Sequence, residues 1–403
     1  MHLLFILFLI LSGIQVNAQT AYISNYDDGT VSVINVATNT VTDTIIVGSR
    51  PIGVCVSADG AKVYVANYSS NTVSVISTVA DSVVATIPVG SNPWGICVSP
   101  DGSKVYVVNN WDKSVSVINT ATNTVMTTIS VGHFPIGIAI NPYGSKVYVA
   151  NFNDLTVNVI NTATNTVTDT IMLDGPPDGI CVSPDGSKVY VATDADRVSV
   201  INTSTNTVSD NIMFPSEPYF LAVSPDGNKL YVVNFGASSV SVINTTTNTI
   251  SDTIHVGSNP YGISVSPDGS KVYVANANDN TVSVINAATN SVSATIPVGM
   301  FPYALGNFIS SYAQPSGVAS LTIEPLDIYI YPNPFTSQAT LTFSEEQMHT
   351  IITIRDLLGK EIKSTNFTGK QLTIDKEKMT KGIYFVQIAD GNKNVVNKKI
   401  IVQ

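Results

Sequence analysis

Along residues 20–311 one pattern of apolar and polar positions is written seven times, and residues 93–130 show it whole. Pro93-Trp94-Gly95-Ile96-Cys97-Val98-Ser99 predicts a short apolar strand. Pro100-Asp101-Gly102 predicts the turn that closes it, because Pro presets φ and Gly accepts the left-handed position. Residues 104–109 are almost continuously apolar, as in a strand covered on both faces. After a loop of uneven composition, Ser114-Val115-Ser116-Val117-Ile118 alternates polar with apolar, which places a third strand nearer the outside. Residues 119–123 form a turn of backbone-mimicking side chains, and residues 124–130 a fourth, outermost strand.

The second strand is led in turn by Tyr22, Tyr64, Tyr106, Tyr148, Tyr190, Tyr231 and Tyr273, at steps of 42, 42, 42, 42, 41 and 42 residues. So constant a period marks a repeat architecture. Four antiparallel strands in such a unit make one blade of a β-propeller. A lone four-stranded sheet with two apolar faces cannot bury both, whereas a closed ring of blades can. The region opens on a Tyr-led strand and ends on a Pro-led one, residues 302–309. That offset predicts that the last strand completes the blade begun at Ala21 and closes the circle.

Composition fits short strands and tight turns: 44% of the 403 residues are hydrophobic and only 12% charged, so Ser, Thr and Asn must supply the polar surface. Residues 1–18 form an apolar run ending in Val16-Asn17-Ala18, too short for a permanent anchor, and read as a removed signal peptide. No later stretch is long and apolar enough to cross a membrane as a helix. The net charge of −10 resides in the repeats, where residues 19–311 carry 20 Asp and Glu against 9 Lys and Arg. An acidic surface repels phosphate backbones, which argues against nucleic acid as a partner. Cys55, Cys97 and Cys181 share one register that Ala139, Ala222 and Ser264 fill elsewhere, which reads as a small packed slot holding buried free thiols.

The words Tyr64-Val65-Ala66-Asn67, Thr72-Val73-Ser74-Val75-Ile76 and Pro100-Asp101-Gly102, with their copies, resemble the YVTN family of seven-bladed propeller repeats. That family is known from archaeal surface-layer proteins and bacterial exported proteins, and the resemblance covers residues 21–309. It implies fold more than function. One copy departs, where Thr193-Asp194-Ala195-Asp196-Arg197 shortens the usual Asn-led loop.

Alternate connections of an antiparallel blade lie on one face. The Ser-Pro-Asp-Gly-Ser-Lys and Asn-Thr-Ala-Thr-Asn turns barely vary, so their face reads as structural. The opposite face varies and carries Tyr26, Arg50, Tyr68, Asp178, Phe220, Phe235 and Phe301. It also carries the candidate ligand rim: Trp94, Trp111, His133, Phe134, Phe152, Tyr219, Tyr261 and Tyr303. Exposed aromatic rings offer large contact area at little entropy cost. The expectation is a rim that binds a glycan, a peptide or a surface polymer.

Chemistry is thin by comparison. His133 and His255 sit in different settings, no metal-ligand spacing is present, and no cofactor is expected. Asp27-Asp28-Gly29 and Asn278-Asp279-Asn280 lack the spaced run of a Ca²⁺ loop and read as solvated turns. The protein is therefore expected not to be an enzyme. Two alternatives stay open: an enzyme by analogy with seven-bladed lactonases and lyases, or a passive surface-layer element.

After residue 311 the period stops. Residues 312–326 read as a linker rich in Ser, Gly, Ala and Pro, and residues 327–403 as a small β-sandwich of six or seven strands. Within it, Tyr331-Pro332-Asn333-Pro334, the run from Ile354 through Asp356 to Gly359, Gly382-Ile383-Tyr384-Phe385-Val386 and Lys398-Lys399-Ile400-Ile401-Val402 resemble the C-terminal sorting domain of the type IX secretion system of Bacteroidota. The resemblance implies handling by that machinery, passage through the periplasm, and a secreted or cell-surface product. The whole reads as an all-β chain: a seven-bladed β-propeller over residues 19–311, followed by a β-sandwich sorting domain.

Overall fold

The computed structural model describes residues 19–310, 328–333, 335–356, 360–376, 379–389 and 395–402, in two compact units. The expected signal peptide, the linker, and Pro334 and Gly359 of the tail motifs lie outside the described residues.

In the first unit the repeats form six four-stranded sheets and one three-stranded sheet. The specimen blade has strands at Pro93–Val98, Lys104–Asn109, Ser114–Asn119 and Thr124–Ser130, paired in that order. Pro-led strands of successive blades pack against one another and line the axis. Burial falls outward: Lys104–Asn109 is buried from Val105 to Asn109, while the outermost strand keeps only Ile129 buried. Tyr22, Tyr64, Tyr106, Tyr148, Tyr190, Tyr231 and Tyr273 are fully buried between blades. Period-2 alternation is therefore weak in the inner strands and clear in the outer one.

The ring closes as the offset implies. Asn25 bridges Pro302 and Ala21 bridges Ile309, both antiparallel. The Tyr22 amide donates to the Phe308 carbonyl at 3.0 Å, and the Tyr303 amide to the Ser24 carbonyl at 2.9 Å. The three-stranded sheet thus gains its innermost strand from the far end of the repeats, and the blades number seven. This last strand is less regular than its six counterparts, because Ala304 and Gly306 take positive φ, 48° and 114°.

Two recurrent devices explain why the wording repeats. The Asn that ends a Tyr-led strand is buried, and its amide donates to two hydroxyls of the next strand: Asn109 reaches Ser114 at 3.0 Å and Ser116 at 2.9 Å. The Lys that opens the strand reaches forward to the next blade. Lys104 Nζ donates to the Thr162 carbonyl at 2.7 Å, and Lys271 Nζ crosses the seam to the Val36 carbonyl at 2.5 Å. Six such lysines latch successive blades together. At the remaining junction Thr20 stands in the lysine slot. Blades also approach too closely for a side chain at one place: a Cβ on Gly137 would lie 2.3 Å from the Asp178 carbonyl oxygen.

The second unit is one five-stranded sheet, not six or seven separate strands. Residues 339–343 and 351–355 are parts of one long strand, Gln338–Asp356, paired along most of its length with Glu361–Asp375. Its buried side switches from Ala339, Leu341 and Phe343 to Ile352 and Ile354, across register shifts between Thr342 and Thr350. Bulges of this kind bend a strand and exchange its faces. The two halves thereby cover one core, in which Phe343 stacks on Phe367 at 5.5 Å. As expected for a strand that runs into proline, Ile328–Tyr331 lies at the sheet edge.

Candidate functional site

On the variable face one backbone bond is the same in every blade. The amide of the residue after the second strand donates to the carbonyl of the residue before the inner-strand proline. Tyr68 bonds to Arg50, Asn110 to Asn92, Phe152 to Phe134, Asp194 to Pro176, Phe235 to Glu217, Ala277 to Asn259 and Tyr26 to Phe301. The bond recurs even though the fifth blade's loop is shorter and the sixth forms a 3-10 turn at Phe235–Ala237.

Most of those side chains are rings, and they join into an arc. Tyr68 meets Trp94 edge-on at 5.4 Å, and Trp94 meets Tyr303 at 6.5 Å. Tyr303 stacks against Tyr261 at 4.2 Å and lies 5.3 Å from Tyr26. Tyr261 continues to Phe235 at 5.0 Å and to Tyr219 at 5.4 Å. Arg50 lays its guanidinium 5.4 Å above the Tyr26 ring. Beneath, buried Ile52, Ile136, Phe220 and Leu305 form the plug on which the arc rests.

The candidate rim divides accordingly. Trp94, Phe134, Phe152, Tyr219 and Tyr261 are half-buried members of the cluster and present ring surface to solvent. Tyr303 is 9% exposed, so it supports its neighbours and offers no surface of its own, a correction to its place on the rim. Trp111 is 67% exposed and stands outside the cluster. His133 is tied to Asp154, with Nδ1 2.9 Å from Oδ1, while the His133 backbone amide donates to Asp154 Oδ2 at 2.8 Å. That backbone bond chiefly holds the Asp154 carboxyl below its usual range. Asp28, Asp112 and Asp279 accept the amides of Met300, Ser91 and Ser258 in the same way. The acids expected in solvated turns are therefore loop clasps, and His133 belongs to one of them.

The fifth blade, whose loop departs from the repeat, breaks the aromatic arc. Asp178 occupies the slot held elsewhere by Trp94 and Tyr261 and is 1% exposed. Desolvation, then a hydrogen bond to the Asp194 carboxylate and the nearby charge of Glu217, push its carboxyl up to about 9. Burial and the neighbouring acids favour its uncharged form at neutral pH. Tyr219 feels the same carboxylates and is raised well above its ordinary value, mainly by burial. The sequence placed Asp178 on this face, but two other blade slots bring Asp194 and Glu217 to it, and no local spacing records that.

The sign of the linkage follows. The folded chain keeps the Asp178 proton up to about pH 9, while the unfolded chain releases it near pH 4. Stability should therefore fall as pH rises through that window, by at most about 1.4 kcal/mol per pH unit. Asp178→Asn is expected to leave the melting temperature unchanged near pH 4 and to raise it at pH 8. Thermal melts across pH 4–9 check this, and parallel curves for the two proteins would refute it.

Among the described residues no group of three or more His, Cys, Asp or Glu could hold a metal ion, and no helix is long and apolar enough to cross a membrane.

In the C-terminal unit, Tyr331 is 80% exposed beside exposed Pro332 and Asn333. Asp356 accepts the Lys360 amide at 2.9 Å and closes a turn. Gly382 opens the strand Gly382–Ala389, and Tyr384 is buried, its hydroxyl donating to the Thr380 carbonyl at 2.9 Å.

Comparisons with known proteins agree with this division. Residues 329–403 match the secretion system C-terminal sorting domain. Residues 58–144 match a YNCE-like β-propeller, and residues 184–298 the seven-bladed β-propeller lactonases. An endo-acting ulvan lyase of Formosa agariphila is 32% identical over 78 residues, 19% of this chain. The match spans only 15% of that lyase's length. Among solved structures, Kuenenia stuttgartiensis hydrazine synthase superposes with a TM-score of 0.63 at 24% identity, covering 67% of this chain and 92% of that one. A functionally unknown protein from Desulfotomaculum acetoxidans also gives 0.63, at 18% identity, covering 72% of this chain and 100% of that one. At such identities these two likenesses speak for fold alone. With the ring and the terminal sheet, the matches establish an exported β-propeller that carries a C-terminal type IX secretion sorting domain.

Proposed function

We propose that the aromatic arc binds an extracellular glycan, peptide or surface polymer, which makes the protein a recognition or adhesion module outside the cell. One observation carries this reading: half-buried rings occupy equivalent slots around a recurring backbone bond, from Tyr68 round to Tyr219. Structure alone requires the buried plug beneath them but does not require Trp94, Tyr219 and Tyr261 at its surface. Pre-packed rings lose little freedom on binding, and their faces suit sugar rings and peptide side chains alike. The reading favours binding without turnover. The neutral acid of this face, Asp178, is sealed from solvent and in this conformation cannot hand its proton to a bound molecule.

Arrays of glycans and matrix proteins, probed with the mature chain, test it. Trp94→Ala with Tyr219→Ala is expected to weaken capture at least about tenfold, a typical loss for buried aromatic anchors. Trp111→Ala, outside the arc, should change it far less. Folded variants that bind as the parent does would remove the proposal. Lactone hydrolysis or polysaccharide cleavage by the purified protein would replace it with an enzymatic one.

A further inference from the structure

The axis of the ring is not filled. Below the aromatic plug lies a cavity of about 540 Å³. Its upper wall includes Phe220 and Leu305, which also belong to the plug, so it is closed toward the variable face. Its lower wall includes Pro225 and Pro267 of the invariant turns, so its mouth is on the face that the sequence marks as merely structural.

The wall is aliphatic, built from residues such as Ile96, Ile138, Ile180, Leu221 and Ile263. The slot that reads in sequence as small and packed turns out to border this space. Cys55, Cys97, Ala139, Cys181, Ala222 and Ser264 all line it, and the irregular last inner strand adds Asn307. Small side chains in this register of six inner strands help keep the axis open, since one Leu or Phe per blade would fill it. The two polar side chains among these lining residues are bonded to each other, Ser264 Oγ to Asn307 Oδ1 at 3.3 Å. Burial pushes all three thiols up, so they stay uncharged.

We propose that this cavity is a binding site for a compact, uncharged apolar molecule that enters from the invariant-turn face. Its volume falls within the roughly 300–1,000 Å³ of small-molecule sites and is several times the roughly 150 Å³ apolar cavity that accepts benzene. The wall holds no charged side chain and no ring of hydrogen-bond donors, so selection is by size and apolarity. The site is independent of the aromatic arc, which lies on the other side of the plug.

The neutral dye N-phenyl-1-naphthylamine and N-ethylmaleimide, applied to the mature full chain, test this. The reaction is run at pH 9 and over hours, where even a raised thiol supplies a trace of thiolate. Saturating dye is expected to slow the measurable dye-free alkylation of Cys97 and Cys181 at least fivefold, read by peptide mass spectrometry. Ala139→Leu with Ala222→Leu is expected to weaken dye binding at least tenfold. Thiol protection is read on unmodified protein, so the result stands even where that variant fails to fold. Two outcomes overturn the proposal: alkylation at equal rates with and without dye, or dye fluorescence abolished by Trp94→Ala while the thiols remain unprotected.

Discussion

Chains that stop at residue 327 are expected to accumulate in the cell envelope, with the propeller missing from the surface and the medium. The sorting domain has a core of its own, running from Phe335 to Val402 through Leu341, Ile354 and Val386. Its loss therefore removes an address and leaves the cargo's packing intact. The effect should be close to all-or-none, because a closed β-ring offers the export machinery nothing equivalent. Fractionated cells and medium, blotted for the propeller, give the readout. Wild-type amounts outside the cell would contradict the address. Within the domain, Tyr331→Ala should act through lost recognition, since the ring is exposed. Tyr384→Ala should act through lost stability, since that ring is buried.

The largest stability loss within the propeller is expected at the seam. Phe308 is fully buried and accepts the Tyr22 amide at 3.0 Å, in the pairing position that Cys55 holds opposite Tyr64. It enters the core beside Tyr22, Ile23 and Ala304. Phe308→Ala should cost about 3–5 kcal/mol by lost transfer energy and the cavity left behind. That is a large share of the roughly 5–15 kcal/mol that holds a domain folded. A two-sided wound is the reason: the seam joins residues 280 positions apart, and the Ala304 amide loses the Ser24 hydroxyl it donates to once its strand lifts. Thermal melting and limited proteolysis would report early cleavage between the first and last blades. A loss under about 1 kcal/mol would mean that the ring is held elsewhere, for instance by the Lys271 latch.

The blade, the number of blades and the closure are all legible in the chain's own wording. Each rests on local signals that repeat: the Pro-Asp-Gly turn, the Tyr-led apolar strand, the period, and the offset of its two ends. The same wording marked the tail as an address because that signal is also written in short words. It read Tyr331 and Tyr384 as one kind of residue, and only the sheet's long bent strand makes one exposed and the other buried.

What the tertiary structure decided lies in the directions in which equivalent slots point. Seven-fold repetition carries one slot of each blade to a single place on the axis, so residues some 42 positions apart in sequence become neighbours. That is how Trp94, Tyr261 and Tyr303 meet, how Asp178 falls under Asp194 and Glu217, and why Trp111, one slot further along its loop, stays alone. It is also how a cysteine register that reads as a packed core comes to line an open channel. Periodicity records which side chains are alike. Whether likeness places them in a core, on a rim or around a void depends on the curvature of the ring, which is set by packing between blades and leaves no mark within a single repeat.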